Sequence, residues 1–367
     1  MSAAPSILAV SHSSASSGAE RVLLRTLVAA QERGWRVHCL APPGQLHQEL
    51  AEAGIPAGVV PDLKLPAGPR PLALARLATR WARAAPTLRA AAANHDVVLA
   101  NGLLALPPLR LAKVAAPVCW LVHDVILRRD WAALLRWCAP AVTQAIAVSA
   151  ASAEPVRARG IPTVIVRNGV PWPVTPAGNP AFPPVIGNAA MLTSWKGQDV
   201  LLEAISTLRR DAVVELMGGQ FPKDDPYIRR LRERAEQPDL AGRVRFLGHR
   251  ADPLERMRSW SVAVSSSVDP EAAPLSVLEA MSIGVPVVAT AHGGTVEVLG
   301  DSGLLVVPRD SVALAAAIES LLDDDELRSR CAAAGPATVA NGLTQNGQAG
   351  ELLDRLVEVA RRATVGR

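Results

Sequence analysis

The sequence predicts an α/β protein made of two Rossmann-like, doubly wound parallel sheets. Short apolar segments alternate with helical patterns through most of the 367 residues. This alternation is typical of βαβ units, in which a helix joins two parallel strands. It runs in two series separated by a Pro- and Gly-rich stretch, and a chain of this length is expected to hold two domains. The apolar content of 49% is sufficient for two buried cores.

The first series begins with an apolar strand at residues 7–11 and a helix at about 19–33, which ends before Gly34. Further strands are predicted at residues 36–41, 96–100, 117–122, 145–148 and 163–166. The intervening helices are predicted at residues 45–53, 71–85 and 87–93, the last two divided at Pro86. Residues 1–170 form the first predicted domain.

A stretch dense in Pro and Gly, with almost no charge, occupies residues 171–184 and is predicted to link the two domains. The second domain is predicted over residues 185–345, with strands at 185–190, 213–217, 244–247, 262–265, 285–289 and 304–306. Its helices are predicted at 198–208, 227–236, 253–259, 312–322 and 326–334. A last helix lies at about 349–362, and its pattern alone does not assign it to a domain.

Several classes of protein are disfavoured by the composition. No apolar stretch of 18 residues lacks a charge, Pro or Gly, so no transmembrane helix is predicted. The first residues have no basic region and lead into a strand, so no cleaved signal peptide is expected. The four cysteines are far apart and form no Cys-x-x-Cys motif, which predicts reduced thiols in a cytoplasmic protein and no zinc site.

Charge is divided unevenly along the chain. Residues 1–173 hold 18 basic and 9 acidic side chains, a net charge of +9, whereas the remainder has a net charge of −5. Arg76, Arg80 and Arg83 form a stripe at helical spacing, and residues 128–137 form a second basic stretch that contains Trp. Such stretches can contact anionic membrane surfaces, but they are also typical of solvated helix faces. No nucleic-acid reader motif is present, so nucleic acid is not a predicted partner.

The segment from Pro270 to Thr290 contains the clearest signal of chemistry. A short helix is predicted to begin near Leu275 and to end at Gly284, before a buried strand. The first backbone N–H groups of a helix have no acceptor within it, so they suit a phosphate. Those groups belong to Leu275, Ser276 and Val277.

Two carboxylates flank this helix start. Glu271 precedes the helix, and Glu279 lies about one turn inside it, where it could accept hydrogen bonds from ribose hydroxyls. A carboxylate, an anion site and a second carboxylate, in that order, fit a nucleotide diphosphate that carries a sugar. The alternative is an ordinary strand–loop–helix–strand unit with surface acids.

Other candidates lie in loops that follow predicted strands. Lys196 could neutralise a diphosphate, or it could be a solvated loop lysine. His123 and Asp124 follow the strand at 117–122, at a carboxyl end of the sheet, where open α/β sheets bind ligands. Asn101 and Ser149 follow strands in the same way and are weaker candidates on the acceptor side.

Two glycines are candidates for close contact with a ligand. Gly18 lies in the sequence Ser17-Gly18-Ala19-Glu20, which reads as a helix capping box and also as a loop that a ligand can approach. Gly218 is predicted to let the base or ribose approach the second sheet.

The whole run from Glu271 to Glu297 resembles the donor-site signature of retaining glycosyltransferases of family 4. The resemblance rests on the Glu-x7-Glu spacing, on Glu279-Ala280-Met281, and on the Gly-Val-Pro-Val-Val-Ala-Thr segment with His292-Gly293-Gly294 behind it. It implies the GT-B fold, in which two Rossmann-like domains face each other across a cleft. The first domain would bind the acceptor and the second the nucleotide sugar, and the helix within residues 346–367 would cross back to the first domain.

The resemblance also implies a hexosyltransferase-type reaction. A sugar would move from a UDP- or GDP-type donor to an acceptor hydroxyl with retention of configuration and without a metal ion. Glu271 and His123 would hold the sugar, Lys196 and the amides of the short helix the diphosphate, and Glu279 the ribose. The acceptor would be a glycan, a lipid-linked sugar or a small natural product, and contact with the inner membrane face would be peripheral.

The chain departs from the family at one position. Family members usually have Gly-Arg five residues before the lysine, and this chain has Ala190-Met191. Thr193, Ser194 or an arginine elsewhere, with Arg250 as a candidate, could compensate. Two other functions share the same fold and donor site: a nucleotide-sugar epimerase and a non-catalytic nucleotide-sugar binder.

Overall fold

The computed structural model describes residues 4–15, 17–64, 70–178, 182–220, 224–250 and 252–365. The chain divides into two compact units. The first contains Met1–Asn168 together with Asn346–Arg367, and the second contains Gly169–Gln345.

Each unit is built on one parallel sheet. The strands of the first are β1 (Ser6–Ser11), β2 (Arg36–Ala41), β3 (Ala57–Val59), β4 (Val97–Asn101), β5 (Val118–Val122), β6 (Gln144–Ala147) and β7 (Thr163–Ile165). The strands of the second are β8 (Val185–Ala189), β9 (Val213–Met217), β10 (Val244–Gly248), β11 (Val262–Ser265), β12 (Val287–Thr290) and β13 (Gly303–Val306). The predicted class, two parallel doubly wound sheets, is confirmed.

Helices connect the strands. Those before β8 are α1 (Gly18–Glu32), α2 (Gln45–Glu52), α3 (Arg70–Ala92), α4 (Leu106–Ala112), α5 (Arg129–Cys138) and α6 (Ala150–Arg157). Those after it are α7 (Gln198–Ser206), α8 (Asp225–Ala235), α9 (Pro253–Met257), α10 (Leu275–Ser282), α11 (Thr295–Leu299), α12 (Ser311–Asp323), α13 (Asp325–Ala340) and α14 (Gln345–Val365).

The strand order places a switch point in each sheet. The first sheet has the order β3-β2-β1-β4-β5-β6-β7, and the second has β10-β9-β8-β11-β12-β13. The direction of winding therefore reverses between β1 and β4, and again between β8 and β11. Open α/β sheets bind ligands outside the carboxyl ends of the strands at such points. The residues at the carboxyl ends of β1, β4, β8 and β11 therefore lie where a ligand is expected to bind.

Two apolar cores cover the two faces of the first sheet. Helices α3, α4, α5 and α6 supply one core, in which Trp120 and Leu106 are fully buried. Helices α1, α2 and α14 supply the other, in which Leu352 and Leu356 pack with Leu23. Strands covered on both faces are expected to be continuously apolar, as Val97–Asn101 is up to its last residue.

Two helices run through prolines, of which Pro86 was predicted as a helix boundary. Helix α3 continues past Pro86, and α13 continues past Pro336 to Ala340. In α3, Pro86 is solvent-exposed, and the buried Ala84 and Leu88 continue the apolar face on either side of it. Packing of that face offsets the hydrogen bond that a helical proline loses. The division of α3 into helices 71–85 and 87–93 was therefore wrong.

Helix α13 packs closely on α10 because of a glycine. A Cβ atom added to Gly335 would lie 2.6 Å from the carbonyl oxygen of Met281, which is closer than van der Waals contact allows. Only a residue without a side chain lets the two helices approach this closely.

The Pro-rich stretch that was predicted as a linker falls within the second unit where the structure describes it. The amide of Ala177 donates to the carbonyl of Ile283 over 2.7 Å, and Val170 bridges to Thr344. Residues 179–181 of the predicted linker lie outside the described residues. The four cysteines are buried and form no disulfide. No described helix is both long and apolar enough to cross a bilayer.

Candidate functional site

Helix α10 begins without a side-chain cap. Its N-cap residue is Pro274, which provides no side-chain hydrogen bond to the first turn. The first backbone bond recorded into the helix joins the amide of Leu278 to the carbonyl of Pro274 over 3.4 Å. The amides of Leu275, Ser276 and Val277 therefore precede the intrahelical ladder, as the sequence predicted. A helix start of this kind can bind an anion.

Lys196 and Glu271, 75 residues apart in the chain, form an ion pair. The Lys196 Nζ donates to Glu271 Oε2 over 2.5 Å. Their side chains are only 14% and 9% exposed, so the pair is shielded from bulk water. The Nζ also lies 4.2 Å from the ring centroid of Trp195, over its face. The sequence predicted both residues for the site but not their contact.

Three consecutive serines after β11 bind the two members of this pair. Ser267 Oγ donates to Glu271 Oε1, and Ser265 Oγ donates to the same oxygen over 3.4 Å. Ser266 Oγ donates to the backbone carbonyl of Lys196 over 3.0 Å. The serines were not among the predicted site residues, although their place at the end of a strand beside the switch point could have identified them.

The environment of Glu271 favours its ionised form. Burial has the largest single effect and would raise the pKa of this carboxyl, whereas the charge and hydrogen bond of Lys196 lower it. Ser267 and the nearby His292 act in the same direction, so the pKa of Glu271 lies below the ordinary glutamate value. The group is therefore a carboxylate at neutral pH, able to accept hydrogen bonds from hydroxyls.

The loop after β12 approaches the backbone of Glu271. The amide of Gly294 donates to the Glu271 carbonyl over 2.8 Å. Gly293 has a φ of +58°, and a Cβ there would lie 2.2 Å from the same carbonyl oxygen. The His-Gly-Gly sequence is thus needed to bring this loop against Glu271.

Three further predicted donor residues, Glu279, Thr193 and Gly218, lie in the same unit, whereas Gly18 lies in the first unit. Glu279 is 4% exposed within α10, and Thr193 is 5% exposed at the start of the Lys196 turn. The amide of Gly218 donates to Gly248, and a Cβ on Gly218 would lie 1.9 Å from the carbonyl of Ala190. Strand packing therefore requires this glycine whether or not a ligand approaches it.

The position of the missing arginine is occupied by an apolar side chain. Met191 Sδ lies 3.4 Å from the place where a Cβ on Gly219 would be. Arg250 is exposed two residues beyond β10, which is the edge strand two places from β8.

In the first unit, a cluster of polar side chains lies at the switch point. His12 Nδ1 bonds to the Asn101 carbonyl over 2.9 Å, and His123 Nε2 bonds to Asn101 Oδ1 over 3.0 Å. Asn101 is fully buried, and its Nδ2 has no acceptor in the described part of the chain. The sequence reasoning missed His12, although it follows β1 just as His123 follows β5.

His123 is uncharged at neutral pH. Burial lowers its pKa to about 4, and the charge of the nearby His12 acts in the same direction. Because a neutral imidazole has one donor and one acceptor nitrogen, Nε2 donates to Asn101 and Nδ1 is left as an acceptor. Asp124, the next residue, is exposed.

The other two first-unit candidates have structural roles. Ser149 is the N-cap of α6, and its Oγ accepts from the amide of Ser152 over 3.2 Å. Gly18 begins α1 beside Ser17, whose amide and hydroxyl both donate to the Glu20 carboxylate. Whether either also contacts a ligand stays a prediction.

Metal ligands are sparse. Within the residues that the structure describes, no three His, Cys, Asp or Glu side chains come together in a group that could hold a metal ion.

Two family models match the chain. The model described as Glycosyltransferase Family 4 matches residues 16–171, and the one described as Glycosyl transferases group 1 matches residues 177–338. The two matches lie end to end and cover most of both units.

Curated relatives match over part of their length. The D-inositol 3-phosphate glycosyltransferase of Corynebacterium urealyticum is 35% identical over 179 residues, which are 46% of this chain and 42% of that protein. The phosphatidyl-myo-inositol mannosyltransferase of Mycolicibacterium smegmatis is 38% identical over 140 residues, 36% of this chain and 34% of that protein. The match thus spans less than half of either relative.

Solved structures match over nearly the whole chain. HepE of Anabaena, solved in complex with UDP and glucose, has a TM-score of 0.82 and 23% identity, covering 96% of this chain and 99% of that one. Sucrose-phosphate synthase of Thermosynechococcus elongatus has a TM-score of 0.81 and 19% identity, with the same coverage. At these identities the likeness shows a common fold.

Proposed function

We infer the function from one premise: this chain belongs to glycosyltransferase family 4 and has the GT-B architecture. We propose that it transfers a sugar from a nucleotide-diphosphate sugar to a hydroxyl of an acceptor, with retention of configuration. The observation that carries the proposal is the shielded Lys196–Glu271 pair in the second unit, the unit whose uncapped helix start can bind a phosphate.

The diphosphate would be bound by fixed positive partners. Lys196 provides a full charge, and the amides of Leu275, Ser276 and Val277 provide the dipoles of a helix N-terminus. Negative charge grows on the departing diphosphate during transfer, so groups that are already oriented toward it lower the barrier. Glu279, buried one turn further along α10, would accept hydrogen bonds from the ribose.

The sugar would be oriented by Glu271. The Oε1 of Glu271 already accepts from Ser267 and Ser265, so the ionised carboxylate would accept a hydrogen bond from a sugar hydroxyl at Oε2 and hold the anomeric carbon for attack. The C–O bond to the diphosphate breaks, the acceptor oxygen bonds to the anomeric carbon, and the departing phosphate takes the hydroxyl proton. This scheme uses no metal ion.

In the first unit, His123 and Asn101 are proposed to serve the sugar and the acceptor. His123 Nδ1 can accept from a hydroxyl, and Asn101 Nδ2 is a buried donor without an acceptor in the described residues. Both groups are neutral, which suits an uncharged hydroxyl better than a phosphate. Asp124 and Ser149 remain weaker acceptor-side candidates.

A UDP-sugar is the proposed donor. HepE, with the same fold, was solved in complex with UDP-glucose. The two relatives described above act on inositol-containing acceptors by their names, and a polyol, glycan or lipid-linked sugar is the acceptor class we propose here.

A panel of nucleotide sugars tests the proposal. Ligand that binds only the folded protein raises its melting temperature in proportion to RT ln(1 + [L]/Kd), so UDP-, GDP- and ADP-sugars can be ranked by thermal shift. We expect a shift with UDP-sugars that Lys196→Ala abolishes and that the exposed-lysine control Lys113→Ala preserves. No shift with any nucleotide sugar would contradict the proposal. Isomerisation of the sugar without an acceptor would show an epimerase instead.

The first unit also has a basic helix layer, defined as α3, α4, α5 and α6. These helices carry nine basic and two acidic residues, whereas α1, α2 and α14 on the other face carry five basic and seven acidic. Exposed apolar side chains accompany the arginines of the layer: Leu72, Leu74, Leu111 and Trp137. Arginine beside exposed Leu and Trp favours an anionic membrane surface over a purely polar polyanion.

We therefore propose that the basic helix layer makes peripheral contact with an anionic membrane. At low salt, the protein should co-sediment with phosphatidylglycerol vesicles. The double variant Arg76→Glu, Arg83→Glu should stay in the supernatant. Glu49→Arg with Glu52→Arg, on the opposite layer, is the matched control. Failure to bind at low salt would remove the membrane contact and leave the transferase unaffected.

A further inference from the structure

We propose that Ser267, supported by His292, is a positioning residue that fixes the Glu271 carboxylate. The inference rests on the proposed function, because it assigns the group that orients the sugar-holding residue. Neither residue was given a role by the sequence reasoning, and His292 lies in the loop after β12, a different strand connection from that of Ser267.

The backbone carbonyl and the side-chain hydroxyl of Ser267 bond to different parts of the site. The Ser267 carbonyl accepts from Thr290 Oγ1 over 2.8 Å and from His292 Nε2 over 2.7 Å. The Ser267 hydroxyl donates to Glu271 Oε1. Because both lone pairs of the carbonyl are used, the peptide cannot rotate without breaking two hydrogen bonds. The hydroxyl is thus presented to Glu271 from a fixed backbone.

The hydrogen bond to Ser267 orients the ring of His292. A carbonyl can only accept, so Nε2 carries a proton and donates it to this bond. The Nδ1 of His292 is buried without a partner in the described residues. The bond to the Ser267 carbonyl is thus the hydrogen bond that holds this ring. His292 therefore acts on the site through the backbone of Ser267.

Burial makes the contact with Glu271 effective. Ser267 is 2% exposed, and the Glu271 side chain is 9% exposed. Water does not replace a lost partner readily at such a site, and a hydrogen bond to a charged group is stronger there than in solvent. Without Ser267 the carboxylate keeps Lys196 and a long contact with Ser265, so it is free to turn about its last torsion.

The adjacent Ser266 provides a matched control. It is as buried as Ser267, but its hydroxyl donates to the Lys196 carbonyl and not to Glu271. Loss of either hydroxyl removes one buried side-chain hydrogen bond in the same loop. The two substitutions should therefore differ only in which member of the pair they release.

The test compares Ser267→Ala and Ser266→Ala in transfer assays with a UDP-sugar over a range of pH. We expect Ser267→Ala to lower kcat by about ten- to a hundredfold, the effect of one hydrogen bond to a charged group, while the donor Kd changes by less than about twofold. Because Glu271 loses a donor, its pKa should rise, and the acidic limb of the kcat profile should move to higher pH. Ser266→Ala should leave that limb in place.

A second pair of variants tests the support from His292. His292→Gln keeps an N–H donor for the Ser267 carbonyl and should stay near wild type, whereas His292→Ala should move the acidic limb in the same direction as Ser267→Ala. If Ser267→Ala does not fold, Ser267→Cys, with a weaker donor of similar size, replaces it. An unchanged kcat and an unchanged acidic limb in Ser267→Ala would overturn the inference. Full activity of Glu271→Gln would instead overturn the proposed function, so the two failures are distinct.

Discussion

The carboxyl edges of the two sheets carry different chemistry on the same topology. In the second sheet, the residues beside the switch point form an ion pair, Lys196–Glu271, supported by hydroxyls. In the first sheet, His123, which is uncharged at pH 7, bonds to the Asn101 side-chain amide, and His12 bonds to the Asn101 backbone carbonyl. The charged edge suits an anionic donor, and the neutral edge suits an uncharged hydroxyl.

Under the proposed function, this difference would divide a two-substrate reaction between the two sheets. The strand order fixes only where a ligand binds, since both sheets reverse direction after their first strand. What binds there depends on a few side chains at the strand ends. Substitution of these side chains one at a time tests whether the two edges have different roles.

The largest effect is expected at the charged edge, from Glu271. Glu271→Gln should lower the rate of sugar transfer by about a hundredfold or more, because the neutral amide holds the sugar hydroxyls less strongly. Steady-state kinetics with a UDP-sugar measures this, with circular dichroism as a check of the fold. Glu203→Gln, which removes the charge of an exposed carboxylate paired with Arg234, is the control and should keep full activity. Equal activities of the two variants would remove Glu271 from the reaction.

Lys196 should come next. Lys196→Ala should raise the donor Kd by about ten- to a hundredfold, since a hydrogen bond from a charged group to the diphosphate is lost. Isothermal titration with UDP measures the change directly. The effect should shrink as salt increases, because wild-type binding weakens by screening while the variant has no charge to screen. An unaltered Kd would place the diphosphate elsewhere.

At the neutral edge, His123 should matter less and without a pH signature. His123→Gln should lower transfer by up to about tenfold, the value of one neutral hydrogen bond. Because the pKa of His123 is lowered to about 4, the wild-type profile between pH 5 and 8 should not contain its titration. His95→Gln serves as the control. A limb near pH 6.5 that disappears in His123→Gln would show that the first edge is charged after all.

The smallest effect concerns stability. The pKa of Glu271 lies below its ordinary value of 4.5, so its ionised form stabilises the fold above that pH. The contribution is lost as the pH falls through the lower folded-state pKa. Glu271→Gln should therefore show a weaker loss of unfolding free energy between pH 4.5 and lower values than wild type does. Urea unfolding at several pH values compares the two proteins, and parallel curves would contradict the assignment.

Much of the second unit could be predicted because its signals are local. The uncapped start of α10 follows from a proline before an apolar helix. The contact between Lys196 and Glu271 could not be predicted from pattern, since it depends on the pairing of distant strands. The support of Ser267 by His292 depends on that pairing as well.

The first unit was harder to predict, for two physical reasons. The continuous helix α3 was divided because local proline rules do not include the packing of Ala84 and Leu88 into a core. His12 was missed because no local pattern marks it, and its bond to Asn101 requires β1 and β4 to be neighbours. In both cases tertiary neighbours decided what local sequence left open.

The absence of a side chain at Gly335 links the sequence of α13 to the position of α10. Since the carbonyl of Met281 occupies the space beside it, any larger residue at 335 must push α10 outward and carry Leu275, Ser276 and Val277 with it. Under the proposed function, a substitution at position 335 would therefore change how the start of α10 binds the diphosphate. For the same reason, substitutions at position 335 are restricted, although α13 lies outside the motif at Glu271–Glu297.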